Sequence, residues 1–187
     1  MMDDKSSERF PAARPAGPAP WVLEDPGPDV SDPHELLLAY LDWYRRALMR
    51  KIDGLSGEQL RTPVEPFGWA PLGLVKHLGW VERRWLRWGF AAEHVLPYLS
   101  AGEEAEWSVA EESVDGVIGD YLAEVQLSSV LAAGADLATR SQVGGRFMSP
   151  EEAPSLGRIL FHLLQEYARH VGQLDIVREL IDGTTGE

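Results

Sequence analysis

The stretch SLGRILFHLLQEYARHVGQLDIVRELIDG, residues 155–183, decides the fold. Ser155 follows Pro154 as a helix cap, and Gly183 closes the run. Between them Leu156, Ile159, Leu163, Tyr167, Leu174, Val177 and Ile181 recur at the spacing of one buried helical stripe. Glu166 and His170 interrupt that stripe. Positions four apart on a helix differ by only about 40°, so the two share a face. A carboxylate on a buried face is costly unless something compensates it. A divalent ion gripped by Glu166 and His170 would do so. A salt bridge from an arginine, beside a hydrogen-bonded core histidine, would do so equally well. The helix by itself leaves both readings open.

Working outward, PLGLVKHLGWVERRWLRWG (71–89) predicts a second helix. Leu74, Leu78, Val81, Trp85 and Trp88 form its stripe, and Glu82, Arg83, Arg84 and Arg87 are expected on its wet side. His77 lies three residues after Leu74 and four before Val81, on the apolar side. Alone it reads as a core histidine. With Glu166 and His170 it completes two imidazoles and one carboxylate, the ligand set of a catalytic divalent site with an open position. The set requires the two helices to face one another, which spacing does not show. His162 extends the run to i, i+4, i+8, about 80° from His170. It is a candidate acid or base on the cavity wall, with plain packing as the alternative. Gln173 is placed to orient a ligand, and Arg169 is expected to be exposed. Trp80 and Trp107 are expected to line an apolar pocket near the metal, and Trp85 and Trp88 to be core. His34 and His94 lack a supporting pattern.

The first helix opens at Ser31 or Asp32, with Pro33 in its first turn. Leu37, Tyr40, Leu41, Tyr44, Leu48 and Ile52 mark its stripe, and Gly54 ends it. A short turn is expected over Ser56 to Leu60. A third helix runs from Ser113 to Ala133, with Val117, Tyr121, Val125 and Ser128 on one face. Long loops cover residues 90–112 and 134–154, and loops of that length are usually functional or poorly ordered. Pro11, Pro15, Pro18, Pro20, Pro26 and Pro28 make residues 1–30 a tail for which disorder is the first expectation, with docking of Trp21, Val22 and Leu23 on the domain as the alternative. Nothing alternates like a strand. The reading is an all-α four-helix bundle over residues 31–187, with long connecting loops.

Composition narrows the function. The 187 residues include no cysteine, which excludes disulfides, thiolate metal sites and a cysteine nucleophile. Any metal must therefore sit on His, Asp or Glu. The net charge of −13 disfavours a nucleic-acid partner. No apolar run approaches a membrane span, and MMDDKSSERF lacks the apolar core of a signal peptide. A soluble cytoplasmic protein is expected. Lysine occurs only at Lys5, Lys51 and Lys76, so arginine carries most of the positive charge.

The stretches PLGLVKHLGWVERRWL, ESVDGVIGDYLAEV and FHLLQEYARHVGQLDIVRELIDG, together with DPHELLLAYLDWYRRALMRKIDGLSGEQL, resemble the DinB-like superfamily over about residues 31–183. The resemblance is closest to the actinobacterial branch with proteins similar to mycothiol-dependent maleylpyruvate isomerase. It implies a four-helix bundle with a divalent metal, usually zinc or nickel, on His77, Glu166 and His170. Glutamate at position 166, where many relatives carry histidine, matches the isomerase type. Gln173 departs from a histidine common among close relatives. A low-molecular-weight thiol such as mycothiol is the implied cosubstrate, and a small electrophile the substrate, in S-transfer or isomerisation. The imidazole and carboxylate donors also accept iron or manganese. A hydrolase and a non-catalytic metal- or ligand-binding bundle are the competing readings. A homodimer is compatible with such a bundle, although nothing in the sequence marks an interface. The superfamily's damage-inducible name implies no DNA binding.

Overall fold

Asp32 starts the first helix. Its carboxylate accepts from the backbone N–H groups of His34 (3.0 Å) and Glu35 (2.9 Å). Helix α1 then runs Pro33–Ile52 in the computed structural model, which describes residues 23–99 and 102–185. Ser56 and Gln59 cap each other reciprocally at the start of the five-residue α2, Gly57–Arg61. Helix α3 spans Pro71–Glu82 and continues over Arg83–Phe90 with the wider i→i+5 winding of a π-helix. A short 3₁₀ turn covers Glu103–Glu106. Ser113 caps α4, Val114–Ala133. Ser155 caps α5, Leu156–Asp182, which Gly183 ends in the left-handed conformation (φ 76°). The described residues contain no strand, only the isolated bridges Val64–Trp69 and Arg140–Ser155. The architecture is all-α, with four long helices and one short one.

Helix α1 packs on α5, α3 packs on α4, and α3 also meets α5. Leu41, Leu48, Leu72, Leu74, Leu78, Leu86, Ile159, Leu163, Tyr167 and Leu174 are fully buried among them. Each such side chain stabilises the fold by about 1.5–3 kcal/mol relative to exposure. The α3–α5 contact matters most for function, because it joins the two helices that carry His77, Glu166 and His170.

Several sequence expectations need correction. Glu82 and Arg84, expected on the wet side of the second helix, are buried, with Glu82 0% exposed. Trp85 and Trp88, expected in the core, are only half-buried, and Leu86 is buried instead. Glu82 stands one regular turn after buried Leu78 and shares its face, whereas from Arg83 onward the i→i+5 winding takes Arg84, Trp85 and Trp88 off the 100° phase on which their assignment rested. On α1 Tyr40 is exposed and Arg45 is buried. Leu23 packs against the core, whereas Trp21, Val22 and the rest of residues 1–22 lie outside the described residues.

Candidate metal centre

Packing of α3 on α5 brings His77, Glu166 and His170 together. One donor atom from each lies within 4.8 Å of the others. The His77 and His170 rings meet edge-on with centroids 5.1 Å apart. The Glu166 carboxylate is shared along α5, with Oε2 3.3 Å from His170 Nε2 and Oε1 3.4 Å from His162 Nε2. Its near neighbours are these histidines, and no arginine among the described residues forms the salt bridge that was the alternative. All three donors are partly buried. Burial and the neighbouring His77 hold the His170 imidazole below its ordinary pKa, against the opposing pull of Gln173 and Glu166. A neutral imidazole is the form that ligates a metal.

The tautomers follow from the partners. His77 Nδ1 is 3.3 Å from Glu106 Oε2, and a carboxylate can only accept, so Nδ1 carries the proton. His170 Nδ1 likewise donates to Gln173 Oε1 at 3.0 Å. Both rings therefore keep the Nε2 lone pair free for an ion. Carboxylate and amide supports of this kind orient histidines at metal sites. Glu106 is 1% exposed and also accepts from Arg84 Nη1. Burial alone would raise its pKa, but the hydrogen bonds from His77 and Arg84 hold the carboxyl below the ordinary range.

Glu106 reaches the site because its loop is strapped to α3. Lys76 Nζ donates to the carbonyls of Ala105 (2.8 Å) and Ser108 (3.0 Å) and pairs with Glu112 (2.5 Å). Gly73 permits the close approach, since a Cβ there would stand 2.6 Å from the Trp107 carbonyl oxygen. Trp107 consequently stacks on His77, with centroids 4.3 Å apart and planes 20° apart, and sits 5.9 Å from His170. The loop expected over residues 90–112 thus supplies part of the site.

The remaining candidates lie around this centre. His162 is half-buried, its ring 4.2 Å from that of Trp85. Gln173 supports His170. Trp80 is turned toward the α3–α4 groove, where Arg83 sits over its ring at 4.6 Å, and the tryptophan against the histidines is Trp107. Arg169 is exposed. Glu106 and Arg84 were missed. No local signal separates Glu106 from Glu104, Glu111 or Glu112, and Arg84 sits in a run of charged residues that reads as solvated.

Away from the centre, a buried polar network joins the four long helices. Arg45 Nε donates to Glu82 Oε1 at 2.8 Å, and Tyr167 Oη donates to the same oxygen at 2.9 Å. Tyr121 and Tyr167 share a hydrogen bond of 3.1 Å, and Arg45 also bonds Ser129. Burial raises both tyrosine pKa values, so both stay protonated.

The donor set suits a divalent ion. It offers two oriented imidazole nitrogens and one carboxylate that no arginine or lysine among the described residues neutralises. Within the described residues no helix is long and apolar enough to cross a membrane. A family model described as Mycothiol-S-transferase matches residues 36–183, a span that includes every residue of the centre. No curated protein matches the chain significantly.

Proposed function

Because the chain belongs to the mycothiol S-transferase family, we propose that it is an enzyme joining the sulfur of mycothiol to a small electrophile at a divalent metal held by His77, Glu166 and His170. The observation that carries this reading is the convergence of those three donors, with each imidazole Nδ1 already engaged by Glu106 or Gln173. Zinc is the metal we assign, and nickel, iron and manganese suit the same donors. A divalent ion on two neutral imidazoles and one carboxylate keeps positive charge that favours thiolate over thiol.

The chain's own residues do the rest. Burial and the charges of Arg146, Arg169 and Arg158 keep the His162 pKa below its ordinary value, against the pull of Glu166. His162 is then a neutral base at pH 7, and we assign it the thiol proton. The sulfur forms its bond to the electrophilic carbon. The displaced electron pair leaves with the departing group, or passes into a conjugated system that takes the proton back from His162. In the second case later expulsion of the thiol completes an isomerisation. Trp107 covers the histidines and limits water. A chain without cysteine suits a reaction whose sulfur comes from a cosubstrate. A cytoplasmic location, where such thiols stay reduced, belongs to the same reading.

The test is mass-spectrometric detection of sulfur conjugates. Zinc-loaded protein is incubated with mycothiol and a panel of conjugated carbonyls, epoxides and alkyl halides. Conjugates are expected with the native chain and not with His170→Ala. Absence of thiol-dependent product across the panel, or water-addition products formed without thiol, would overturn the proposal.

A further inference from the structure

Beside His162 a cavity of about 430 Å³ opens between α5 and the π-wound turn of α3. Trp85, Arg158, Phe161, His162 and Gln165 line it, and no acidic residue does. It adjoins the metal centre through His162, whose Nε2 is 3.4 Å from Glu166. Its electrostatics run against the rest of the molecule. The chain carries 30 acidic and 17 basic residues, yet Arg146, Arg158 and Arg169 all act on the His162 imidazole. None of the three pairs with a carboxylate among the described residues. Arg146 lies over the rings of Trp85 (4.2 Å) and Trp88 (5.8 Å). It is held there because its backbone N–H donates to the Trp88 carbonyl at 3.2 Å. Gly145 allows that approach, since a Cβ would overlap the Trp88 oxygen. The α3–α4 groove is the contrast. Its cations are spent, Lys76 on Glu112 and Arg83 on Glu124.

Unpaired guanidinium groups favour a carboxylate, which they bind in bidentate fashion. The cavity's aromatic walls favour a flat, apolar body, and Phe161 is 62% exposed with no other evident use. We propose that this cavity is the electrophile subsite and that it selects planar, conjugated carboxylates, with Arg158 and Arg146 holding the anion and Trp85 and Phe161 the flat body. The assignment rests on the transferase reading only for what happens to the bound molecule.

Isothermal titration of the zinc-loaded full chain tests it, with cinnamate as probe and cinnamamide as its neutral counterpart. Cinnamamide is expected to bind about tenfold more weakly than cinnamate. Arg158→Ala should weaken cinnamate about fivefold, the worth of one partly exposed ion pair, and Arg146→Ala/Arg158→Ala about twentyfold. Arg158→Lys should recover part of the loss, and chelating the zinc should change cinnamate binding less than twofold. Equal binding of acid and amide, or cinnamate binding that vanishes with zinc and ignores both arginines, would overturn the proposal. The two proposals fail separately. Arginine-dependent cinnamate binding without any thiol conjugate upholds the subsite and sinks the transferase. Conjugates formed equally from neutral and anionic electrophiles, by native chain and double variant alike, sink the subsite and uphold the transferase.

Discussion

Replacing Glu106 by Gln tests how the centre is supported. The carboxylate is 1% exposed and satisfies two groups, His77 Nδ1 and Arg84 Nη1. A glutamine of the same shape keeps one acceptor oxygen and loses the charge. Two effects follow with different sizes. His77 loses the partner that fixes its tautomer and ring orientation, which typically weakens a metal site about 10- to 100-fold. That is about 1.4–2.7 kcal/mol of binding free energy. Arg84 loses its counter-ion in a nearly dry position. Breaking such a pair costs about 3–5 kcal/mol, and the low end applies because Arg84 keeps the Tyr98 ring 4.9 Å away. Competition against a chromophoric chelator measures the first effect, and urea denaturation of the metal-free protein the second. Arg84→Met separates them, since it removes the ion pair and leaves the His77–Glu106 hydrogen bond. It should destabilise the fold while weakening zinc less than Glu106→Gln does. If Glu106→Gln binds zinc as tightly as the native chain while His170→Ala does not, Glu106 does not orient His77. If the two variants lose equal zinc affinity, the effect passes through the loop and not through the tautomer.

Other consequences follow from single contacts. Glu82→Leu leaves buried Arg45 only the exposed Asp42 carboxylate, 2.9 Å away, as counter-ion and should cost about 3 kcal/mol in urea denaturation, whereas Arg45→Met/Glu82→Leu should cost less than that single change. Gly73→Ala pushes a methyl against the Trp107 carbonyl and should destabilise by about 1–3 kcal/mol, with altered near-ultraviolet dichroism from the displaced indole. Hydrogen bonds from Arg178 and Thr184 lower the Asp182 pKa from 3.8 despite some burial. A depressed carboxyl stabilises the fold above its unfolded pKa, and that stability fades as pH falls through the folded value. Asp182→Asn should therefore flatten the loss of stability on acidification below about pH 5, and an unchanged slope would rule this contribution out.

How far the sequence could be read depended on the range of the interaction concerned. Caps are local, so Ser113 and Ser155 were identifiable from the residues that follow them, and the first cap was narrowed to Ser31 or Asp32, of which Asp32 caps. Helical phase is also local, and it placed Glu166 and His170 on one face. Phase failed from Arg83 onward, where the winding changes and Arg84 and Leu86 are buried while Trp85 and Trp88 are only half-buried. The buried arginines were illegible for a related reason, since Arg45 and Arg84 are interior only because Glu82 and Glu106 meet them there.

By itself the sequence determined an all-helical chain, the boundaries of its long helices and the i, i+4 pairing of Glu166 with His170, all consequences of backbone geometry within a turn or two. Only the tertiary structure decided that α3 faces α5, that Glu106 and Trp107 return from the intervening loop onto His77, and that Arg146 lies over Trp85 and Trp88. Those juxtapositions join residues tens of positions apart, and the packing of the whole core selects them.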